Sequence, residues 1–500
     1  MKKKIRLLGA IAESYGILRN WSTSAFWTIT RIKRYTDHVE EQMADYVARY
    51  FTICFSQRAF ERIYWGPLIS ARDGLLDDGT GVIPKSSELD IVALHDRIPG
   101  SPESWRARPA FYVFKTMNSF LGGAEYQGNR CSKEGLEIHE FSKDGQTIHI
   151  GWTKNGKLAR VRDCYSSDDL EALSEVYNQY GEVDEDRPDF LTQSVAIFVW
   201  GEEHTPSIKS SAGITPNVVA APLVDGYRHY DYQTDKWRGI IRARSRKEAE
   251  LLIGKLGPEV ISKNKEQGSL RKARNAVWKV DDPRALDGFV VVKKPRRLAF
   301  NKKITDRNKP SKALRSWNGT AQLMRRNIGT PSAVAYFEST DSSDMMNNWF
   351  ICDHVEEKMK TRAFFLQYSQ GESEVEGFTF DDFSDQLVGF LLRLHKNCCF
   401  RDLSVGNLLV EGWEDGVIQF SLIDTARMRC KGKLSVGQRV GDLKRLILKL
   451  SPPLQEIVMR KYMRRIKKRF TLSQRLSLKL YKVKTDLKRM KRKLRKKVAK

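Results

Sequence analysis

Apolar residues in the C-terminal half of the chain recur with the spacings of strands and helices. The β-branched run at residues 288–292 lies between two proline-containing turns, so it predicts a strand that closes on Lys293. Apolar positions within residues 311–327 follow at helical spacing, and a Gly-Thr-Pro stop signal comes directly after them. Further strands are predicted over residues 333–337 and 349–352.

Two more strands of this half carry polar residues at their ends. The apolar residues 408–410 follow Asn407 directly, and the alternating run at residues 418–423 ends on Asp424. Asp402 lies five residues before Asn407, on a short predicted loop. The pattern therefore places three polar side chains at the ends of strands or in loops.

The N-terminal half has a different pattern. Residues 38–56 show helical spacing, residues 62–66 form a short predicted strand, and a second helix is predicted over residues 110–117. Beyond Gly122 the pattern changes to alternating strands with glycine turns, of which residues 146–152 are the clearest. This half predicts a βα segment followed by a small β-sandwich, so the fold class is α+β.

The polar residues of the C-terminal half match the needs of phosphoryl transfer, which asks for few reactive groups but strict placement. One carboxylate must orient the attacking hydroxyl and accept its proton, a role that suits Asp402. Magnesium prefers oxygen ligands, which Asn407 and Asp424 supply. A lysine on a preceding strand can hold the phosphates as a point charge. Lys293 is our choice for that role, and its neighbour Lys294 is the competing assignment.

Four segments carry a resemblance to the lipopolysaccharide core (Kdo/heptose) kinase family: VVVKKP, SKALRSWNGTAQLMRRNIGTPSAVAYFE, LRLHKNCCFRDLSVGNLLV and FSLIDTARMR. The resemblance covers about residues 269–470 and implies a bilobal protein-kinase-like fold that uses ATP and Mg²⁺ to phosphorylate a sugar hydroxyl. By position it implies Asp402 as catalytic base, Asn407 and Asp424 as metal ligands, and Lys293 as the phosphate-binding lysine.

The chain departs from the protein-kinase pattern at several points. Residues 311–327 contain no Asp or Glu, so the usual lysine–glutamate pair lacks its acid, and Glu338 is further along the chain. Phe400 replaces the usual histidine, Ala426 replaces the usual glycine, and the basic segment 268–275 stands where a glycine-rich loop is expected. Two alternatives therefore stay open: a non-catalytic pseudokinase scaffold that binds saccharide or membrane, and a kinase acting on protein or a small molecule.

The N-terminal half resembles the last units of a glycoside hydrolase (β/α) barrel and the β-domain that often follows one. Under that alignment Ser24 stands where such hydrolases carry the nucleophilic glutamate. Retaining hydrolases need two carboxylates, so we do not expect hydrolase activity. Tyr64, Trp65 and Trp152 are candidates for a sugar platform or, equally, for core packing.

Charge is concentrated at the C-terminus. Residues 460–500 hold 20 Lys and Arg against a single acid, Asp486, in a chain whose formal net charge is +26. Apolar residues from Leu472 to Leu494 step by 3 or 4, which predicts an amphipathic helix with a narrow apolar seam. An anionic membrane surface is the partner we favour. Nucleic acid, a coiled coil and a solvated helix packed on the preceding domain are the alternatives.

Composition limits the remaining possibilities. Without an apolar run of about 20 residues, a membrane-spanning helix is not expected. Seven cysteines without a C-x-x-C spacing predict a reduced protein without structural metal. We expect a cytoplasmic protein. The resemblance to the core kinases implies a peripheral location on the inner face of the inner membrane and, as acceptor, lipopolysaccharide core or another saccharide. The sequence does not predict the oligomeric state.

The predicted domains follow these changes of pattern along the chain. They are a partial glycoside-hydrolase-like βα segment (1–105), a small β-sandwich (106–205), a connector (206–268), a kinase-like domain (269–470, with its N-lobe ending near residue 350) and a basic amphipathic helix (471–500).

Overall fold

The chain divides into two compact units, one formed by residues 1–231 and 243–250 and the other by residues 232–242 and 251–500. The computed structural model describes residues 2–16, 20–23, 37–59, 61–65, 68–70, 74–79, 102–223, 226–263, 269–272, 275–282, 288–296, 309–341, 343–401, 403–430, 432–469 and 471–498. Both units mix helices with antiparallel sheets, so the α+β prediction is confirmed.

The first unit contains the following elements: α1 (Lys2–Ser14), β1 (Asn20–Thr23), α2 (Asp37–Ser56), β2 (Arg62–Trp65), β3 (Leu76–Asp77), β4 (Arg106–Ala107), α3 (Pro109–Leu121), β5 (Glu125–Lys133), β6 (Leu136–Lys143), β7 (Gln146–Thr153), β8 (Ala159–Arg160), α4 (Val161–Cys164), α5 (Ser167–Glu171), β9 (Leu173–Asn178), β10 (Phe190–Leu191) and β11 (Ala196–Trp200). Strand β12 (Arg228–Gln233) crosses the boundary between the units. The helices predicted over 38–56 and 110–117 are thus present.

The core of the first unit lies on a five-stranded antiparallel sheet of order β5-β6-β7-β11-β9. Helices α2 and α3 cover one face, where Phe51 and Val113 pack with Ile150. The sheet stays hydrophobic on its other face, where Tyr165 and Trp200 are buried. Both faces are covered because neighbouring side chains of β11 point in opposite directions and both sets are apolar.

The predicted barrel and β-sandwich are not confirmed in the first unit. β1 and β2 pair in parallel, with α2 between them along the chain, which makes one βαβ unit. The five-stranded sheet packs on helices rather than on a second large sheet. Trp152 is fully buried and Trp65 packs on Tyr50 of α2, so both serve the core, whereas Tyr64 is half exposed. Ser24 lies outside the described residues.

The second unit begins with a sheet and continues with helices. Its elements are β13 (Trp237–Ala243), α6 (Arg246–Leu256), α7 (Pro258–Lys263), β14 (Ser269–Lys272), β15 (Asn275–Asp281), β16 (Phe289–Pro295), α8 (Lys312–Met324), β17 (Ala333–Ser339), β18 (Asn348–Asp353), β19 (Met359–Lys360), α9 (Thr361–Gln370), β20 (Glu374–Val375), β21 (Phe378–Thr379), α10 (Phe380–Lys396), β22 (Cys399–Phe400), β23 (Leu408–Glu414), β24 (Val417–Leu422), β25 (Arg429–Cys430), α11 (Val436–Ile447), α12 (Pro452–Arg465) and α13 (Leu472–Val498). Helix α6 starts in the first unit.

Six strands of the second unit form an antiparallel sheet in the order β13-β17-β18-β16-β15-β14. β13 comes from the segment that the sequence suggests as a connector. It joins the sheet because Ile240 and Ile241 are both fully buried there, so each face of the strand has apolar cover. The other domain boundaries stay predictions.

The helical part of the second unit is built around α10. Its apolar stripe, which includes Leu387, Leu391 and Leu394, is completely buried among α9, α11, α12 and the β23–β24 hairpin. Thr379 caps the helix by accepting a hydrogen bond from the N–H of Asp382. Among the described residues, no helix is long and apolar enough to cross a membrane.

One expectation from the cysteines is wrong. Cys399 and Cys430 form a disulfide between the paired strands β22 and β25, with their Cα atoms 4.3 Å apart. Spacing along the chain could not reveal it, because the two residues are 31 positions apart and meet only through strand pairing. The described Cys54, Cys131, Cys164, Cys352 and Cys398 remain free thiols.

Candidate active site

Helix α8 covers one face of the sheet of the second unit, and the strand register shows which lysine shares that face. Lys293 is directly opposite Phe350 on β18, and Phe350 is opposite Tyr336 on β17. Directly opposed residues of antiparallel strands point to the same face. The ring of Trp317 on α8 lies 5.5 Å from that of Tyr336. Lys293 therefore lies on the face that α8 covers.

Lys294 lies on the opposite face of the same sheet. Its ammonium is 4.9 Å from the ring centroid of Trp349, which in turn packs 4.7 Å from Trp237. Side chains alternate along a strand, so the adjacent lysines cannot share a face. The sequence left both lysines as candidates for binding phosphate. Of the two, Lys293 is the one that lies on the face covered by α8.

The described neighbours of Lys293 include an aromatic ring and a buried thiol. Its ammonium lies 5.6 Å from the ring centroid of Phe350, and burial raises the pKa of the neighbouring Cys352 thiol, an effect that the lysine opposes. Glu338 is ion-paired with Arg238 at 2.8 Å. Among the described residues, no carboxylate forms an ion pair with Lys293. The missing acid of α8 is therefore not replaced from another described element.

Helix α8 is fixed at its first turn by two polar side chains. The hydroxyl of Ser311 accepts a hydrogen bond from the N–H of Leu314 at 3.0 Å, and the buried Asn348 accepts one from the N–H of Ala313 at 3.0 Å. These contacts satisfy donors that a helix cannot satisfy internally. They also tie the start of the helix to β18.

The middle of α8 rests on the residue that follows Asp424. The hydroxyl of Thr425 donates to the carbonyl of Ser316 at 2.9 Å and shares a hydrogen bond of 2.9 Å with the hydroxyl of Thr320. Gly319 lies against the backbone of Thr425, and a Cβ there would overlap the carbonyl oxygen. Helix α8 therefore packs closely against the segment that follows Asp424.

Asn407 and Asp424 lie at the same end of the β23–β24 hairpin. Leu408 is opposite Leu422 in the register, and the N–H of Ile423 donates to the carbonyl of Asn407 at 2.8 Å. Asp424 then adopts the left-handed conformation, with φ 59° and ψ 55°. A non-glycine residue held there carries strain, which is typical of functional positions. The hairpin thus brings together both predicted metal ligands.

Asp402, the predicted base, lies outside the described residues. Arg401, the residue before it, is held by a hydrogen bond: its N–H donates to Oδ2 of Asp442 on α11 at 2.7 Å. Arg401 has a φ of 78°, again in the left-handed region. The backbone of Arg401, the residue before Asp402 in the chain, is therefore fixed and strained.

Asp442 is a residue that the sequence interpretation missed. It is buried, and its Oδ2 lies 3.6 Å from Nε2 of His395, whose Nδ1 shares a hydrogen bond of 2.7 Å with the Tyr462 hydroxyl. Burial raises the pKa of Tyr462 to about 12. The one available signal was an acid within the apolar stripe of α11, next to Leu443. A buried acid needs a partner, but the sequence does not say which.

The donor types of the hairpin suit a magnesium–nucleotide ligand. Asn407 offers an amide oxygen and Asp424 a carboxylate, and hard cations prefer such oxygens. Within the described part of the chain, no three His, Cys, Asp or Glu side chains cluster in a way that could hold a metal. A metal here would accordingly be held by one carboxylate and one amide of the protein, with phosphate oxygens of a bound nucleotide as further ligands.

The segment predicted to cover the phosphates lies at the edge of the sheet. β14 and β15 pair as an antiparallel hairpin, which in turn pairs with the Lys293 strand through β15. Arg274 lies outside the described residues. That the basic segment covers the phosphates stays a prediction.

Comparison with known proteins leaves the family of the chain open. No protein-family model matches the sequence, and no curated protein matches it. Among the solved structures that match is that of WaaP in complex with acyl carrier protein, at 15% identity and a TM-score of 0.36. The alignment covers 48% of this chain and 95% of that one, so the similarity concerns about half of the protein.

Proposed function

We propose that the second unit is a phosphotransferase that moves the γ-phosphate of ATP to an alcohol. The observation that carries this proposal is that Asn407 and Asp424 lie at the same end of the β23–β24 hairpin. Lys293 adds a cation on the sheet face covered by α8, and α8 packs on the residue after Asp424. Each of these roles comes from a different element, so chance placement is a poor explanation.

The residues divide the chemistry between them. The acceptor oxygen attacks the γ-phosphorus, the bond to the ADP oxygen breaks, and Asp402 takes the hydroxyl proton. Lys293 binds phosphate oxygens and opposes their charge. Mg²⁺, held by Asn407 and Asp424, would neutralise charge on the phosphates when bound. Asp442 keeps the backbone before Asp402 in position.

For the acceptor we propose a sugar hydroxyl of lipopolysaccharide core or of a related lipid-linked saccharide. This choice depends on the four sequence segments that resemble the core kinases. The roles given to Asp402, Lys293, Asn407 and Asp424 suit any alcohol, so a protein or small-molecule acceptor is the alternative within the same reaction class.

The test is magnesium-dependent transfer of label from [γ-³²P]ATP to purified lipopolysaccharide or its core sugars. The wild type should label the saccharide, whereas Asp402→Ala and Asp424→Ala should not. Leu251→Ser, a change at an exposed residue of α6, is the matched control and should keep full transfer. Label in protein instead of saccharide would reject the acceptor and keep the reaction.

A second candidate function follows from the environment of Lys293. Since no described carboxylate forms an ion pair with it, the second candidate is a non-catalytic scaffold that binds saccharide or membrane. Absence of both transfer and magnesium-dependent ATP binding in the wild type would favour this scaffold.

A further inference from the structure

Helix α13 packs on the second unit through one of its sides. Leu478 is buried in the hydrophobic core of the helical part, the hydroxyl of Ser477 accepts a hydrogen bond from Lys444 of α11, and Arg475 lies 3.2 Å from Glu456 of α12. These contacts fix which side of the helix faces the protein. The directions of the other side chains around the helix then follow from its regular geometry.

The apolar seam of α13 lies on the opposite side. At about 100° per residue, positions 476, 480, 483 and 487 fall within a narrow stripe about 180° from Leu478. The stripe is exposed: its described side chains keep 49–80% of their surface accessible. They are Leu472, Leu476, Leu480, Val483, Leu487 and Met490. The helix thus packs with its more polar side and presents its apolar side outward.

Basic residues border this stripe on both sides. Lys479 directly precedes Leu480, and Lys484 directly follows Val483, which places one lysine on each flank of the stripe. Asp486 is the single acid of the helix. An apolar stripe between two rows of cations has the design of a helix that lies in the interface of an anionic bilayer.

We propose that α13 docks the protein on an anionic lipid bilayer, with the apolar stripe inserted between the acyl chains and the flanking lysines at the headgroups. Charge decides against a second copy of the chain, because pairing two stripes would bring two rows of lysines together. Nucleic acid would satisfy the lysines but leave the leucines in water. The surface is independent of the proposed transfer reaction.

The test uses the full-length chain and sedimented vesicles of phosphatidylcholine alone or of phosphatidylcholine with phosphatidylglycerol. The wild type should bind the anionic vesicles and leave the neutral ones largely unbound. A stripe variant, Leu476→Ser with Leu480→Ser and Leu487→Ser, should lose at least about tenfold in partition coefficient because its insertion energy is gone. The matched control places the same three changes at Val183, Leu251 and Leu366, which are also exposed, and should bind as the wild type does.

A charge variant separates the two components of binding. Lys479→Gln with Lys484→Gln should weaken binding to anionic vesicles by about fivefold per charge at low salt. Equal binding by the stripe variant and the wild type would overturn the proposal. Stripe-dependent dimerisation in light scattering without vesicle binding, or tighter binding to duplex DNA than to vesicles, would overturn it as well.

Discussion

Arg401 donates its backbone N–H to Oδ2 of Asp442 across 41 residues of sequence, at 2.7 Å. The acceptor is a buried side chain of α11, and the donor directly precedes Asp402. The hydrogen bond therefore ties the backbone of Arg401 to helix α11. It makes Asp442 a positioning residue rather than a catalytic one.

Replacing Asp442 should therefore reduce transfer more than binding. We expect Asp442→Ala to lower kcat by about 10²-fold, since a small displacement of a reacting group is that costly, while the KM for ATP changes little. Asp442→Asn retains an acceptor oxygen and should recover most of the rate. Equal losses in kcat and in ATP affinity for both variants would contradict the positioning role.

The two neighbouring lysines provide a matched pair. Lys293→Met should weaken magnesium–ATP binding by at least about tenfold, the value of a charge-assisted hydrogen bond. Lys294→Met removes the same charge from the other face, where Trp349 lies, and should leave binding nearly unchanged. Isothermal titration with a non-hydrolysable ATP analogue measures both. A larger loss for Lys294→Met would reassign the phosphate-binding lysine.

The contact between α8 and Thr425 predicts a specific intolerance at Gly319. A methyl group there would overlap the Thr425 carbonyl, so Gly319→Ala should cost about 1–3 kcal/mol of stability and most of the transfer activity. Gly389→Ala is the control, because that helical glycine has open space around its Cβ position. It should stabilise the protein by about 0.5–1 kcal/mol. Thermal unfolding of both variants distinguishes the two outcomes.

The disulfide of Cys399 and Cys430 predicts a redox-sensitive stability. It closes a loop of 31 residues around the candidate site, and removing such a cross-link costs about 2–4 kcal/mol. Dithiothreitol should lower the unfolding midpoint of the wild type but not that of Cys430→Ser. Cys398→Ser alters a neighbouring free thiol and should respond to dithiothreitol as the wild type does.

A buried polar chain in the first unit predicts loss of stability in acid. His149 contacts Oε2 of Glu140 at 2.8 Å, and Arg130 donates to the same carboxylate at 2.7 Å. Burial acts to raise the pKa of Glu140, but hydrogen bonds from His149 and Arg130 outweigh it and lower that pKa to about 2. Burial also lowers the pKa of His149 below its usual value of 6.5.

Both groups bind fewer protons in the folded state, so both destabilise the fold as the pH falls. The effect of His149 should begin below pH 6.5, and that of Glu140 between about pH 4.5 and 2. Protection factors of β6 and β7 amides in hydrogen exchange measure it. His149→Gln should reduce the slope that begins at pH 6.5, to which the buried His139 of β6 also contributes, and retain the one below pH 4.5. An unchanged upper slope would contradict the assignment.

Local patterns were enough to predict several strands and helices of the second unit. The β-branched run before Lys293 is β16, the segment around Trp317 is α8, and the residues after Asn407 are β23. These predictions hold because hydrophobic periodicity is a property of each segment alone. The barrel and sandwich predictions are not confirmed. They concern how segments pack together, and the single βαβ unit formed by β1, α2 and β2 does not determine that packing.

The sequence by itself determined that Lys293 and Lys294 point to opposite faces, because alternation is a property of any strand. Only the tertiary structure decided which face α8 covers, since that depends on the register of β16, β18 and β17. The same holds for Asp442 and Arg401, which meet through packing of α11. On α13 the sequence determined that an apolar stripe exists. Packing of Leu478 decided that this stripe faces outward, because a helix can bury only one of its sides against a given neighbour.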